Sequence, residues 1–92
     1  MSKKENNDEK LFMYLVNTFQ SSAQIAMGEM KNPVTGKTEF NLKQTRYYID
    51  LLKMIQRKTK KNLSEYEEQM LINIISELRM SFLLKTNNAN NT

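Results

Sequence analysis

Ile49-Asp50-Leu51-Leu52, Lys58-Thr59-Lys60-Lys61-Asn62-Leu63-Ser64, Glu67-Glu68 and Leu78-Arg79 follow one another in a single stretch. That stretch decides the fold. Cations gather where a helix carboxyl end presents unpaired carbonyls, and acids gather where the next helix presents free amides, so each cluster complements a helix dipole. Ser64 with Glu67 three residues on forms a capping box, which starts a helix at that point. The connection is short, so the two helices are expected to be antiparallel neighbours.

Upstream, Asn41 is expected to cap the second helix, with Gln44 three residues on. Thr45, Tyr48, Leu52, Ile55 and Thr59 recur at helical spacing as its inner face. Lys43, Arg46, Asp50, Lys53, Arg57 and Lys60 fall on the opposite face. Downstream, Leu71, Ile74, Ile75, Leu78 and Phe82 make the inner stripe of the third helix. Asn32-Pro33 and Val34-Thr35-Gly36 mark Lys31 to Phe40 as a loop. Before it, a first helix is expected from Asp8 to Glu29, with Asp8 as its cap and Gly28 as its stop. Leu11, Phe12, Leu15, Val16, Phe19, Ala23, Ala26 and Met30 form its expected core face. No convincing strand is visible.

The fold class is therefore all-α: a long N-terminal helix packed on an antiparallel helical hairpin, self-associating. Residues 8–85 form one helical domain. The polar stretches 1–7 and 86–92 lack the apolar content to offset ordering entropy and are expected to be disordered tails.

Ninety-two residues form one domain, which buries only about 60–65% of its unfolded surface. Histidine and cysteine are both absent. This rules out Cys/His zinc sites, thiolate nucleophiles, disulfides and imidazole acid–base chemistry. Met1 to Lys10 is charged and unlike a signal peptide. Leu11 to Gly28 carries no charge, but Asn17, Thr18, Gln20, Ser21, Ser22 and Gln24 are too polar for a membrane span. The expectation is a soluble, cytoplasmic protein without cofactor or metal.

The net charge of +4 is unevenly placed: residues 41–61 hold seven cations against Asp50, and residues 62–92 hold two against four acids. Lys43, Arg46, Lys53, Arg57 and Lys60 are the candidate polyanion surface. Arg57, Lys58, Lys60 and Lys61 stand near the acidic start of the third helix, which offsets much of their field, so Lys43, Arg46 and Lys53 are the better part of that surface.

Gly36-Lys37-Thr38 resembles the end of a phosphate-binding loop. Position 31 is Lys where that loop needs Gly, and no strand precedes it, so it reads as a polar loop. Asp50 and Glu77 are not expected to converge on one site, which leaves no carboxylate dyad. The chain is not expected to be an enzyme.

The uncharged first helix is the stronger signal, because a surface helix normally carries a charged face. Tyr14, Ser21, Gln24 and Ile25 on its outward side, with Ile72 and Leu83 off the third helix's stripe, are the candidate self-association residues. Tyr47, Leu51 and Met54 are also surplus apolar positions on the second helix. The expected function is protein–protein interaction, as an adaptor or regulatory module and a homo-oligomer. The alternative is a nucleic-acid or ribosome-associated binder using the basic outer face of the second helix.

The residues Ile49-Asp50-Leu51-Leu52, Lys58-Thr59-Lys60, Asn62-Leu63, Glu67-Glu68 and Leu78-Arg79-Met80 resemble a family of short bacterial proteins known as domain of unknown function 1844. Met27-Gly28 with Asn32-Pro33 echoes its Gly-to-Pro element. The resemblance covers about residues 11 to 83. It implies a bacterial, cytoplasmic, helical protein and no particular activity. The family pattern has Gly where this chain has Lys61. That departure shifts the expected left-handed cap to Asn62, which tolerates the conformation.

Overall fold

Three helices account for the architecture: α1 over Lys3–Ala26, α2 over Leu42–Lys58 and α3 over Glu65–Asn90. The computed structural model describes residues 3–90, with side chains described from 7 to 87. The tails expected at 1–7 and 86–92 extend beyond those limits: residues 1–2 and 91–92 lie outside the described residues. α1 begins upstream of Asp8, so Asp8 sits within the helix rather than capping it.

Helix ends follow local chemistry. α1 ends at Ala26, three residues short of the expected Glu29, and closes through Gly28 in a Schellman motif: the Gly28 N–H donates to the Ile25 carbonyl at 3.0 Å, and the Glu29 N–H to the Gln24 carbonyl at 2.9 Å. Gly28 has φ +76°, the left-handed region where a side chain is disfavoured.

The following loop is clasped by Asn32. Its Oδ1 accepts from the Val34 N–H at 2.8 Å, and its carbonyl accepts from Gly36 at 2.7 Å. The chain then returns along the end of α1 through an isolated antiparallel bridge between Met27 and Phe40. Asn41 caps α2 as expected, its Oδ1 accepting from the Gln44 N–H at 3.0 Å. The Asn41 N–H itself donates to the Ala26 carbonyl at 2.7 Å, which ties the start of α2 to the end of α1.

At the opposite end Ser64 and Glu67 close the capping box reciprocally. The Glu67 N–H donates to Ser64 Oγ at 3.1 Å, and the Ser64 N–H donates to Glu67 Oε1 at 2.8 Å. Ser64 Oγ also donates to Glu9 Oε2 on α1 at 3.0 Å. That contact sets the start of α1 beside the start of α3, so the bundle runs up, down, up.

One cap differs from expectation. Lys61, not Asn62, takes the left-handed conformation, at φ 72°. The turn geometry requires a positive φ at that position, and Lys61 bears it at a cost of about 1–2 kcal/mol relative to an unstrained residue. Lys61→Gly is expected to raise stability by about 1 kcal/mol, net of the greater entropy that glycine loses on folding. A urea midpoint that is unchanged or lower would show that Lys61 carries no strain.

The core gathers residues of all three helices and the end of α1: Val16, Ala23 and Met27; Ile49, Leu52 and Ile55; Leu71, Ile74, Ile75 and Leu78. The α3 stripe is as expected, with Phe82 half-buried at its edge. On α2, Ile49 replaces Tyr48 in the seam and Tyr48 is half-buried. Of the expected core face of the first helix, Leu11 and Leu15 are exposed on α1, and Met30, past its end, is exposed as well. The apolar face of α1 is wider than the seam. Only the row through Phe12, Val16, Phe19 and Ala23 points between α2 and α3, and the neighbouring row through Leu11 and Leu15 faces outward. Thr45 is fully buried, and its hydroxyl donates to the Asn41 carbonyl at 2.7 Å, so it leaves no unmatched polar group.

The molecule measures 52 × 26 × 16 Å with a radius of gyration of 14.9 Å. A sphere-like domain of this length would have roughly 12 Å. The elongated, thin shape gives each helix a long outward face.

Candidate interaction surfaces

Two outward faces differ in character. The first is the uncharged side of α1. Tyr14 is 75% exposed and Leu11 59%, with Leu15 beside them. Phe19 packs on Tyr48 with ring centroids 6.4 Å apart, which fixes the α2 edge of α1. Leu15 precedes Phe19 by four residues and so lies along the same edge. On α2, Tyr47 stands edge-on against Tyr48 at 5.5 Å and is 62% exposed. Two of the hydroxyls here bond within the helix. Thr18 Oγ1 donates to the Tyr14 carbonyl at 2.8 Å, and Ser22 Oγ to the Thr18 carbonyl at 3.0 Å. Hydroxyls bonded in this way lose less on desolvation.

The structure distributes the self-association candidates over several places. Tyr14 is on the exposed crest of α1, and Ser21 and Gln24 are half-buried. Ile25 lines a small depression of about 90 Å³ with Asn32, Thr35 and Lys37 of the loop. Ile72 is exposed on α3, and Leu83 lines a depression between α3 and α2. Leu83 is thus beside α2 and not in one patch with Tyr14. The apolar companions of Tyr14 on α1 are Leu11 and Leu15. Leu11 and Leu15 escaped notice as surface residues because their spacing also fits a core stripe.

The second face is the crease between α2 and α3, with two depressions. One, of about 290 Å³, is floored by Ile49, Phe82 and Leu83 and rimmed by Arg46, Lys53, Arg79 and Asp50. The Arg46 guanidinium lies over the Phe82 ring, 5.8 Å from its centroid, in cation–π contact. Phe82 in turn meets Phe40 at 6.5 Å. The other depression, of about 300 Å³, lies by the hairpin turn. Leu63 and Leu71 form its apolar part, and Arg57, Lys60, Lys61 and Glu68 its charged part.

Four of the polyanion candidates therefore divide into two pairs: Arg46 with Lys53, and Arg57 with Lys60. Lys43 is exposed and lines neither depression. Arg79 is the cation that sequence reading left out. It stands one residue past core Leu78, on the α2 side of α3, and a helical projection aligned on Ile75 and Phe82 would have placed it there.

Asp50 and Glu77 do not share a depression: Asp50 faces the crease, whereas Glu77 does not line it. Among the described residues, no group of three or more Asp or Glu is placed to hold a metal ion. No described helix is long and apolar enough to cross a membrane.

These features define a three-helix protein with two unlike outward surfaces. The chain matches the family described as Domain of unknown function (DUF1844) over residues 9–84 and belongs to it. No curated protein and no solved structure matches the chain.

Proposed function

We propose that the protein is a non-catalytic interaction module, an adaptor or small regulatory subunit, that self-associates through the uncharged face of α1. The observation that supports this reading is the charge-free run from Leu11 to Gly28, along which Leu11, Tyr14 and Leu15 stand exposed on one side of α1. An apolar surface of this kind is typical of a site that another protein covers. A twofold contact would bury the same patch on both chains at once. It also keeps the cations of α2 and α3 away from the seam, so two chains of net charge +4 can meet without opposing like charges.

Sedimentation equilibrium at micromolar concentration tests the reading. The wild type is expected to be dimeric. Tyr14→Glu and Leu15→Glu should each weaken the dimer by at least about tenfold, because like charges would meet in a desolvated seam. Neither should unfold α1, since Glu is a good helix former. A monomeric wild type overturns the self-association. A dimer indifferent to both changes places the contact elsewhere.

A further inference from the structure

We propose that the crease between α2 and α3 docks an acidic amphipathic helix from a protein partner. The proposal names the partner chemistry of the interaction module and rests on that reading, but uses a different surface from the dimer seam.

Charge supplies the first argument. Arg46, Lys53 and Arg79 rim one depression, and Arg57, Lys60 and Lys61 belong to the other. Against these six cations stand only Asp50 and Glu68. The floors are apolar: Ile49, Phe82 and Leu83 in one, Leu63 and Leu71 in the other. Cationic rims over an apolar floor fit a ligand with acidic flanks and an apolar stripe.

Spacing supplies the second. Ile49 and Lys53 of the first depression are each followed seven residues later by Gln56 and Lys60 of the second, about 10.5 Å along α2. An α-helix presents apolar side chains at i and i+7 with the same repeat, so one helix laid along the crease seats an anchor in each depression.

The same features disfavour a nucleic-acid strand. Asp50 and Glu68 interrupt the positive track within each depression, where a phosphate backbone would meet them. Phe82, the aromatic ring of the crease floor, is covered by Arg46 and packed on Phe40, so it offers no free platform for a base.

The test measures fluorescence anisotropy of the full chain with a labelled synthetic peptide of about 18 residues, leucines at i, i+4, i+7 and i+11 on a Glu-rich background. Controls are a scrambled peptide without the stripe, a Lys-rich version, and a single-stranded thymidine oligomer of about 15 nucleotides. The acidic stripe peptide is expected to bind at least about tenfold tighter than each control. Arg79→Glu and Lys60→Glu should each weaken it by about tenfold, and Leu83→Ser by several-fold, with unchanged circular dichroism. Tyr14→Glu should leave it unchanged.

Absence of binding, equal binding of the scrambled peptide, or indifference to Arg79→Glu overturns the docking site and leaves the dimer reading intact. Tighter binding of the oligomer overturns both this proposal and the protein-adaptor reading. Sensitivity to Tyr14→Glu would place the peptide on the α1 face, against the proposal.

Discussion

Leu52→Ala is expected to cost about 2–5 kcal/mol, the range for a leucine truncated at a fully enclosed site. α2 is the middle element of the bundle. It is tied to α1 by the Asn41–Ala26 hydrogen bond and to α3 by the short turn after Lys58. Leu52 lies midway along it with no exposed surface, in one cluster with Val16 and Ala23 of α1 and Leu71 and Ile74 of α3. Removing its side chain leaves a void bordered by all three helices, and none can close it without leaving the others. A domain of this length is stable by about 5–14 kcal/mol, so the loss is a large share of the whole. Leu83→Ala is the control. Its side chain lines the open crease, more than half exposed, and the change should fall within about 0.5 kcal/mol of wild type. Urea unfolding of the two variants is the measurement. A loss under about 1 kcal/mol for Leu52→Ala would show that the core closes elsewhere than around α2.

How far such positions can be read from the chain depends on how local their causes are. Ser64 and Glu67 declared the start of α3 because a capping box needs only four residues. Gly28 marked the end of α1 for the same reason. The α3 stripe was legible because one row of apolar residues stands clear of polar neighbours. α1 was less legible. Its apolar residues occupy two adjacent rows, through Phe12 and Val16 and through Leu11 and Leu15, and only the positions of α2 and α3 decide which row is buried. Lys61 shows the reverse case. A lysine argues locally against a left-handed turn, yet the geometry of the hairpin imposes one.

The two outward surfaces were legible in part. The missing charges of α1 pointed to the first, and the cations of α2 to the second. Arg79 on the same depression as Arg46 was not evident, because that pairing is made by helix packing. Sequence spacing within one helix says nothing of which residue on the next helix faces it.

Gly28→Ala is the second large effect, expected at about 2–4 kcal/mol, the left-handed cost together with a steric one. Gly28 sits at φ +76°, and a Cβ there would stand 3.3 Å from the Glu39 carbonyl carbon and 3.4 Å from the Phe40 nitrogen. Both neighbours are backbone atoms, which cannot rotate aside as a side chain can. Relief requires residues 39–40 to move away from the end of α1. That movement strains the Met27–Phe40 bridge and the bond from the Asn41 N–H to the Ala26 carbonyl, and so loosens the capped start of α2. Gly36→Ala separates the two contributions. Gly36 has nearly the same φ, +73°, but open space around its missing Cβ. It should lose only the left-handed cost, about 1–2 kcal/mol. Denaturant unfolding gives the totals, and amide hydrogen exchange locates the damage. Gly28→Ala should speed exchange at Asn41 and Thr45, and Gly36→Ala should not. Equal losses for the two alanines, with Asn41 equally protected in both, would mean that the close approach of the loop to α1 contributes nothing to the fold.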